Sequence, residues 1–517
     1  MAIVWRPAFS LAAYVVGRSE HTALVGRHGC VAFLGCRHAP VLVCSAVAVK
    51  VAVIGTGRVG LISCVALSAM GHEVVGTDVD LEKIELLTQG IPPFFEPDLE
   101  EALARETAGG RLRFATSTKD ALADAEIVFI CVGTPSREDG EANLLAVELA
   151  VGEIARHARD GAVVVEKSTV PAGTADRVRR TLLREGDGRR VEVASNPEFL
   201  REGMALRDAM EPDRIVIGVE SERSRDALER LYEPLIRRGV RLIVTDIRTA
   251  ELAKHASNAF LALKISYANG LARICERVGA DVRAVAEVMG SDPRIGHAFL
   301  SAGLGYGGYC LPKDVAALGR LAARLGYPFG LLEEVERLNA EAIDAVTARV
   351  EEAVWNVEGK RIAVLGLAFK PDTDDVRSSP ALNLARRLLD AGATVVGYDP
   401  HAAATAKDEL PELELAGDPY AAAAGADCLV IATEWTEFST LDLPRLSSTM
   451  AHPVVVDGRN MFDPEDMAAA GFWYYPTGRP PAKEPPADLV QASASGSVAL
   501  DDPPAEVPWS PPEEPWS

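Results

Sequence analysis

Cys310 is the residue of this chain whose surroundings best suit chemistry, because it lies in the segment GLGYGGYCLPKD. A cysteine that only packs usually lies among aliphatic side chains, whereas this one leaves a glycine-rich loop and precedes a helical pattern from Leu311. Pro312 suits the first helical position, so we predict Cys310 at a helix N-terminus. There the dipole and Lys313 would lower the pKa of the thiol, and Asp314 could orient water. A nucleophilic cysteine is therefore favoured over a structural one.

Lys254 and Asn258 form a second candidate pair, within a helical pattern that runs without proline from Thr249 to Asp281. Because they are four residues apart, their side chains lie on one face of the helix. The residues alone leave two interpretations open, a solvated turn of helix or two polar groups that face a site. The same helix is predicted to link two sheets and to offer a dimer contact.

The elements that must position these groups begin with a dinucleotide-binding pattern. A predicted strand at Val49–Ile54 is followed by the glycines Gly55, Gly57 and Gly60, and a helical pattern covers Val59–Met70. A second predicted strand, Glu73–Thr77, leads directly to the acid Asp78. Glycines at this spacing allow a tight turn and let a pyrophosphate approach the helix N-terminus. Asp78 lies 23 residues after Gly55, where an acid binds the ribose hydroxyls and would repel the extra phosphate of NADP. The pattern therefore predicts an NAD site.

Further strands alternate with helical patterns along the same half of the chain. We predict them at Glu126–Pro135, Ala162–Pro171, Val191–Leu200 and Arg214–Glu220. This alternation is typical of a parallel, doubly wound sheet. Polar residues just past the strand ends, Thr134, Thr169 and Glu198, should then face the ligand crevice.

The order of strand, glycine, helix and strand occurs a second time, with Gly366 and Asp399 as the glycine and the acid. Gly366 and Asp399 are 33 residues apart, compared with 23 for Gly55 and Asp78, and the added residues correspond in size and position to PDTDDVRSSP. This half lacks GxGxxG, so we expect no second dinucleotide there. The residues that suit another phosphate are Lys370, Arg377 and Arg459. The expected fold class is α/β, with two doubly wound Rossmann-like domains joined by a long central helix.

Composition sets the remaining bounds. The chain has 517 residues, too many for one hydrophobic core, and its net charge of −22 argues against nucleic-acid or anionic-membrane surfaces. Eight cysteines without CxxC spacing predict neither disulfides nor a metal site, and favour a reducing cytoplasm. The sequence contains no run of 18 apolar residues, so we predict no helix that spans a membrane. Residues 1–48 are predicted to be a start-site artefact or a dispensable arm, and the proline-rich acidic residues 479–517 a disordered tail.

From Val49 to Gly478 the chain resembles the nucleotide-sugar 6-dehydrogenases. The motifs that carry the resemblance are, in order, GTGRVG, CVGTP, KSTVPAGT, NPEFLREG, ELAKHASNAFLALKISYANG, DPRIG, GYGGYCLPKD and GLAFKPDTDDVRSSPA. The resemblance implies a four-electron oxidation by NAD of the C6 alcohol of UDP-glucose to UDP-glucuronate, through a thiohemiacetal and a thioester. In two departures, Arg58 replaces the commoner tyrosine of the glycine loop, and Tyr306 stands where phenylalanine is frequent.

The resemblance also implies residue roles and domains. The catalytic group would be Cys310 as nucleophile, Lys254 and Asn258 at the oxyanion, Glu198 as general base, and Asp314 and Thr169 at the water. NAD would contact Gly55, Gly57, Arg58, Val59, Gly60, Asp78, Lys83, Thr134, Thr169, Glu202 and Lys313. The UDP-sugar would contact Phe199, Leu200, Glu202, Lys254, Asn258, Tyr306, Gly307, Phe369, Lys370, Arg459 and, from a neighbouring subunit of a homodimer or larger homo-oligomer, Arg294. The domains expected are NAD-binding (49–246), central helical and dimerising (247–352) and UDP-sugar-binding (353–478).

Three alternatives stay open. The same chemistry could act on GDP-mannose or a UDP-N-acetylhexosamine. A two-electron hydroxyacid dehydrogenase shares the double-sheet plan, although it has no use for Cys310. A non-catalytic dinucleotide-binding protein would not need Cys310, Lys254, Asn258 and Asp314 together.

Overall fold

The computed structural model describes residues 48–137 and 139–481, together with the backbone of three short strands. Those strands are β1 (Thr22–Val25), β2 (Cys30–Leu34) and β3 (Val43–Cys44), and they pair antiparallel in that order. The rest of the predicted extension before residue 48, and the predicted tail after Pro481, lie outside the described residues. Both of those interpretations therefore stay predictions.

An eight-stranded sheet forms the first domain. Its strands are β4 (Lys50–Ile54), β5 (Glu73–Thr77), β6 (Leu112–Ala115), β7 (Ile127–Ile130), β8 (Val163–Glu166), β9 (Glu192–Ser195), β10 (Arg214–Gly218) and β11 (Arg241–Thr245). Their order is β11-β10-β9-β8-β7-β4-β5-β6, in which β4 to β9 are parallel. Strand order reverses between β4 and β7, and ligands of such sheets bind at that switch point.

Helices cover both faces of this sheet. They are α1 (Arg58–Ala69), α2 (Leu81–Thr88), α3 (Leu99–Ala108), α4 (Thr118–Leu122), α5 (Leu145–His157), α6 (Thr174–Glu185), α7 (Ala205–Met210) and α8 (Glu222–Arg237). Successive residues of a strand point to opposite faces. Val51 and Val53 accordingly pack with Leu61 in one core, while Ala52 and Ile54 pack in the other. The doubly wound arrangement is confirmed.

The expectation of an entirely parallel first sheet is wrong at one edge. β10 pairs antiparallel with β9, through Gly218 and Ser195, and parallel with β11. A parallel pairing needs a crossover that returns the chain to the start of the sheet. The connection between β9 and β10 contains only the six-residue α7, which spans about 9 Å. The chain therefore turns back at the crevice edge and carries the NPEFLREG segment there.

Four helices follow and form the centre of the molecule: α9 (Ile247–Val278), α10 (Val282–Gly290), α11 (Cys310–Arg324) and α12 (Gly330–Val354). α9 has 32 residues, begins after an Asp246 side chain that caps Thr249 N–H, and ends at the left-handed Gly279. This confirms the long helix predicted from Thr249. α11 and α12 pack against it. α11 begins at Cys310 itself, so Pro312 is its third residue and not its first.

The second sheet contains six parallel strands. They are β12 (Arg361–Leu365), β13 (Thr394–Tyr398), β14 (Glu414–Leu415), β15 (Cys428–Ile431), β16 (Val454–Asp457) and β17 (Trp473–Pro476), in the order β14-β13-β12-β15-β16-β17. Its helices are α13 (Pro380–Asp390), α14 (Ala403–Glu409), α15 (Pro419–Ala423), α16 (Leu443–Thr449) and α17 (Pro464–Ala469), with a 3₁₀ turn at Thr436–Thr440. The order repeats that of β4 to β9, which confirms the second Rossmann-like unit.

The folded region extends one residue past its predicted end. Arg479 is 7% exposed, and its guanidinium lies 3.0 Å from Asp281 Oδ2. The preceding Gly478 accepts a hydrogen bond from Val282 N–H. Placing the tail from residue 479 was therefore wrong for Arg479, because this side chain joins the second sheet to the start of α10.

Neither a membrane-spanning helix nor a metal-binding cluster occurs among the described residues. Between residues 48 and 481, leaving out 138, no helix combines the length and the hydropathy needed to cross a bilayer. In the same ranges, no group of three or more His, Cys, Asp or Glu side chains is arranged to hold a metal ion.

Candidate active site

The glycine-rich loop before Cys310 is wedged against the second sheet. Gly308 N–H donates to Arg377 O at 2.9 Å. A Cβ atom on Gly307 would lie 2.2 Å from Ser378 O, and one on Gly308 would lie 2.8 Å from the Phe369 ring. Side chains at these positions would push the loop away from the sheet. The glycines therefore place Cys310 where the central helices meet the second sheet.

The electrostatic setting of Cys310 differs from the prediction. The thiol lies at the first residue of α11, as expected. Its pKa is nevertheless raised to about 12, first by burial and then by the charge of Glu198, while Lys254 acts in the opposite direction. The predicted lowering of the pKa is thus wrong for the ligand-free site, since burial and neighbouring carboxylates outweigh the helix dipole. The cation that lowers the thiol's pKa most is Lys254, while the predicted cation Lys313 pairs with Asp314.

Lys254 and Glu198 form a buried ion pair beside the thiol. Lys254 Nζ lies 2.9 Å from Glu198 Oε1, and each side chain is 5% exposed. The second oxygen of Glu198 accepts a hydrogen bond from Leu200 N–H at 2.6 Å. Burial alone would lower the pKa of Lys254, but Glu198, Cys310 and Asp314 together raise it. Lys254 therefore remains an ammonium ion in a site shielded from water.

Asp314 is held on the other side of the site. Its Oδ2 accepts from Asn258 Nδ2 at 2.6 Å, and its Oδ1 lies 2.6 Å from Lys313 Nζ. The Asp314 side chain is 1% exposed. Lys254 and Asn258 are both buried, so the interpretation of this helix face as a solvated turn is wrong. Lys313, a predicted NAD contact, forms an ion pair with Asp314.

The turn after β8 reaches the same region. Thr134 Oγ1 donates to Thr169 O at 2.8 Å, which fixes the two predicted crevice residues against each other. The next residue, Val170, accepts a hydrogen bond from His255 Nε2 at 2.9 Å. His255 was not singled out from the sequence. The signal available was its position three residues before Asn258, which puts both on one side of α9.

The glycine turn after β4 has the shape that a dinucleotide requires. A Cβ atom on Gly60 would lie 1.8 Å from Gly55 O, so helix and turn can pack this closely only through glycine. A Cβ on Gly57 would meet nothing within 4 Å, which leaves space at the start of α1. No side chain caps that helix, so its first N–H groups are available to an anion. Val59 lies in this first turn, where its carbonyl accepts from Ser63 Oγ.

Asp78 follows β5 at the edge of that space. Its Oδ2 accepts from Thr56 N–H at 2.8 Å and lies 3.1 Å from Lys83 Nζ. Burial would raise the pKa of Asp78, but hydrogen bonds from Thr56 and Asp80 and the charge of Lys83 lower it overall. An ionised acid beside the turn fits the ribose hydroxyls of NAD.

Arg58 spans from the glycine turn to the second domain. Its Nη2 lies 2.5 Å from Asp374 Oδ1, and its Nη1 lies 3.4 Å from Thr373 Oγ1. The guanidinium also stacks over Phe94, 4.8 Å from the ring centroid. Asp374 in turn accepts from Phe95 N–H at 2.9 Å. The residue that departs from the family pattern therefore holds the two domains together beside the cofactor space.

Glu202 lies at the same junction. Its carbonyl accepts from Lys370 Nζ, and its Oε1 lies 3.7 Å from Arg377 Nη2. Burial, followed by the charge of Asp375, raises the pKa of Glu202 to about 7. Burial also lowers the pKa of Lys370, although Glu202 opposes this. The structure thus brings residues predicted for cofactor and for substrate into one contact.

Two further predicted substrate residues line this junction. The Phe199 ring lies between Arg214, whose guanidinium is 3.9 Å from the ring centroid, and Lys254, whose Nζ is 5.4 Å from it. Arg459 Nε lies 3.2 Å from Glu434 and 2.8 Å from Ala432 O, and its Nη2 lies 3.4 Å from Phe369 O. Arg459 is thus held at the edge of the second sheet.

Two other predicted substrate residues make their contacts elsewhere in the chain. The Tyr306 ring is buried among the central helices, where it packs with Ala259 and Val315. Burial raises its pKa. Arg294 is 87% exposed and forms an ion pair with Asp292 in its own chain. Within one chain, the structure gives neither side chain a contact to the site.

Comparison with known proteins agrees with this arrangement. Residues 49–236, 248–341 and 363–464 match the NAD binding, central and UDP binding domains of the UDP-glucose/GDP-mannose dehydrogenase family. These three matches cover most of the chain. The chain belongs to the UDP-glucose/GDP-mannose dehydrogenase family. Its NAD-binding domain is accordingly the first domain, which contains the glycine turn after β4.

Individual family members show how far the similarity extends. The UDP-glucose 6-dehydrogenase of Rhizobium meliloti (strain 1021) is 48% identical over 435 residues, which are 83% of this chain and 100% of the relative. The structure of a UDP-glucose dehydrogenase from Pyrobaculum islandicum has a TM-score of 0.79 and 40% identity, covering 85% of this chain and 100% of its own. A UDP-D-ManNAc dehydrogenase structure from Pyrococcus horikoshii has a TM-score of 0.74 and 29% identity, covering 83% and 99%.

The raised pKa of Cys310 predicts its reactivity in the ligand-free protein. Only the thiolate reacts, so its alkylation by iodoacetamide should become faster by about tenfold per pH unit between pH 7 and pH 10, without a plateau. Peptide mass spectrometry can follow Cys310 alone. In Lys254→Met the rate should be lower at every pH, because the cation that opposes the shift is gone. A plateau below pH 9 in the wild type would mean that the helix dipole dominates after all.

Proposed function

We propose that this protein oxidises the C6 alcohol of UDP-glucose to the carboxylate of UDP-glucuronate, with NAD, in one active site. The observation that carries the proposal is the buried group around Cys310. A thiol, an ammonium ion and two carboxylates lie at the junction of an NAD-binding and a UDP-binding domain. A two-electron dehydrogenase would not need the thiol, and a non-catalytic protein would need none of these groups.

In the first oxidation the C6 carbon loses a hydride and its hydroxyl loses a proton, which Glu198 accepts and passes on to solvent. NAD, held by the glycine turn and Asp78, supplies the hydride acceptor for both oxidations. Lys254 faces Glu198 at 2.9 Å and can stabilise negative charge on the C6 oxygen, with the Asn258 amide alongside. The aldehyde carbon then bonds to Cys310 Sγ and forms a thiohemiacetal. Because the thiol is neutral before reaction, its proton passes to the former carbonyl oxygen as the C–S bond forms, and that oxygen becomes the hydroxyl of the thiohemiacetal.

The second half of the reaction ends in hydrolysis. Oxidation of the thiohemiacetal leaves a thioester on Cys310. Water adds to its carbonyl carbon, Glu198 accepts the water proton, and the C–S bond breaks to release the acid and the thiolate. Asp314 and Thr169 are assigned to hold this water. The tight fixation of Asp314 by Asn258 and Lys313 supports that assignment.

UDP-glucose is favoured as substrate by the similarity. The relative that is 48% identical and the solved structure that is 40% identical both bear the name of a UDP-glucose dehydrogenase. The UDP-D-ManNAc dehydrogenase is 29% identical. GDP-mannose and UDP-N-acetylhexosamines remain the competing substrates. The chemistry needs a reduced thiol, and the five described cysteines are free, which supports the cytoplasm as its location.

We also propose a homodimer in which Arg294 contacts the sugar nucleotide of the neighbouring subunit. Phe260, Tyr267 and Ile274 follow one another at seven-residue intervals on α9, and so lie on one face of it. They are 61%, 51% and 55% exposed in the single chain. A continuous apolar stripe of this kind suits a second copy of the same helix. Arg294, exposed beyond it, is then available to the partner.

Counting NADH tests the proposed reaction. With limiting UDP-glucose, the protein should form two NADH per sugar, whereas a product that stops at the aldehyde would give one. Cys310→Ser should bind UDP-glucose normally but lose turnover to the acid by about 10⁴-fold or more, as expected when a covalent nucleophile is removed. Near-normal acid formation by Cys310→Ser would disprove the thioester. Activity only with GDP-mannose or a UDP-N-acetylhexosamine would overturn the substrate assignment and keep the mechanism.

The dimer can be tested separately from the chemistry. Phe260→Glu combined with Tyr267→Glu should convert a dimer into monomers in analytical ultracentrifugation. Arg294→Ala should leave the dimer intact and raise the KM for UDP-glucose by about tenfold, the scale of one charge-assisted contact. The matched control is Arg238→Ala, an exposed arginine at the end of α8. A fully active wild-type monomer would contradict both the proposed homodimer and the proposed role of Arg294.

A further inference from the structure

His255 connects two segments of the active site and has no role in the reaction derived above. It is 1% exposed and lies on α9 between Lys254 and Asn258. Its Nε2 lies 2.9 Å from Val170 O, next to Thr169. A carbonyl oxygen can only accept, so Nε2 must carry the hydrogen. In the neutral ring, Nδ1 is therefore the unprotonated nitrogen.

That unprotonated nitrogen faces a catalytic carboxylate. Nδ1 of His255 lies 3.5 Å from Asp314 Oδ1 and has no hydrogen-bond partner among the described residues. Oδ1 is the same oxygen that pairs with Lys313. A lone pair facing a carboxylate oxygen leaves that oxygen free to accept from another donor, such as water. A proton on Nδ1 would turn the ring into a competing donor to the same oxygen.

The groups around His255 favour the neutral ring. Burial lowers its pKa from the ordinary value of 6.5, and the cations Lys313 on α11 and Lys254 on α9 act in the same direction. Asp314 on α11 and the Val170 carbonyl, in the turn after β8, oppose them. The ring is thus neutral near pH 7. It takes up a proton at a lower pH than an ordinary histidine does.

We propose that His255 is a positioning residue for thioester hydrolysis, which acts through Asp314 and requires its imidazole to be neutral. The neutral ring leaves Asp314 Oδ1 available to the water, whereas the protonated ring binds that oxygen and displaces the water. This inference rests on the proposed function. The two oxidation steps need no water, so a proton on His255 slows hydrolysis and spares them.

The wild-type enzyme should therefore change its kinetics as the pH falls. Below the pKa of His255, steady-state turnover should decrease by about tenfold per pH unit, the slope of one ionisation. Stopped-flow traces at low pH should show a burst approaching two NADH per active site, followed by slow turnover. Because only a step after the covalent intermediate slows, kcat and the KM for UDP-glucose should fall together, and kcat/KM should stay the same across this range.

Two substitutions test the roles of the two ring nitrogens independently. In His255→Gln the amide nitrogen can take the place of Nε2 and keep the bond to Val170, but nothing titrates at Nδ1. The decrease in steady-state turnover at low pH, and the burst of NADH that accompanies it, should then be absent. In His255→Asn the amide lies near the Nδ1 position and the Val170 bond is lost. If His255 only supports the fold, His255→Gln keeps the wild-type acid decrease and His255→Asn alone is impaired, which would overturn the proposal.

His72 provides a matched control. It is also buried, its Nε2 lies 2.8 Å from Leu231 O, and burial lowers its pKa. His72→Gln should affect thermal stability without changing the acid decrease. A second measurement does not depend on a folded His255→Gln. NMR of ¹³C-labelled histidine should give His255 a pKa that coincides with the midpoint of the kinetic decrease, and a mismatch would refute the inference. One NADH per sugar in the wild type would instead refute the proposed function itself.

Discussion

The buried ion pair between Lys254 and Glu198 is the interaction on which the rest of the site depends. Each partner needs the other, because removing one member of a buried pair leaves an uncompensated charge at a cost of about 3 to 5 kcal/mol. The pair joins the long central helix to the NPEFLREG segment, which follows the first sheet. It also sets the charges around the Cys310 thiol, since Glu198 raises and Lys254 lowers its pKa. Fold and chemistry are therefore coupled at this contact.

The burial that makes this pair strong also makes the thiol unreactive on its own. With a pKa of about 12, Cys310 carries its proton until a substrate arrives. A nucleophile that is activated only within the complete site avoids reaction with other electrophiles in the ligand-free protein. The proton leaves the thiol only as the C–S bond forms, and it ends on the oxygen of the thiohemiacetal. The closed, glycine-lined approach to Cys310 is thus part of the chemistry.

The acid that follows the second strand has a different role in each of the two Rossmann-like units. After β5, Asp78 borders the open space of the glycine turn and accepts from one backbone N–H of that turn. After β13, Asp399 is 3% exposed and accepts from the N–H groups of Leu367 and Ala368 and from Trp435 Nε1. The first acid is available to a ribose, while the second stabilises its own domain. The Arg58–Asp374 pair then joins the units across the crevice.

Features that depend on local spacing could be read from the sequence. The glycine turn, the long helix, the position of Cys310 at a helix N-terminus and the shared face of Lys254 and Asn258 all follow from periodicity and from short-range backbone geometry. The family followed from motifs in their order. These features involve residues within a few turns of each other, for which the chain itself sets the distances.

Features that depend on burial and on distant partners were decided only by the tertiary structure. The pKa of Cys310 is raised and not lowered as predicted, because folding buries the thiol and then places carboxylates, first of all Glu198, around it. Arg58 pairs with Asp374, a partner 316 residues away. His255 was missed because its neighbours, Val170 and Asp314, are 85 and 59 positions from it in the chain. An electrostatic effect depends on distance and solvent exclusion in three dimensions, and a pattern of residues in one dimension contains neither.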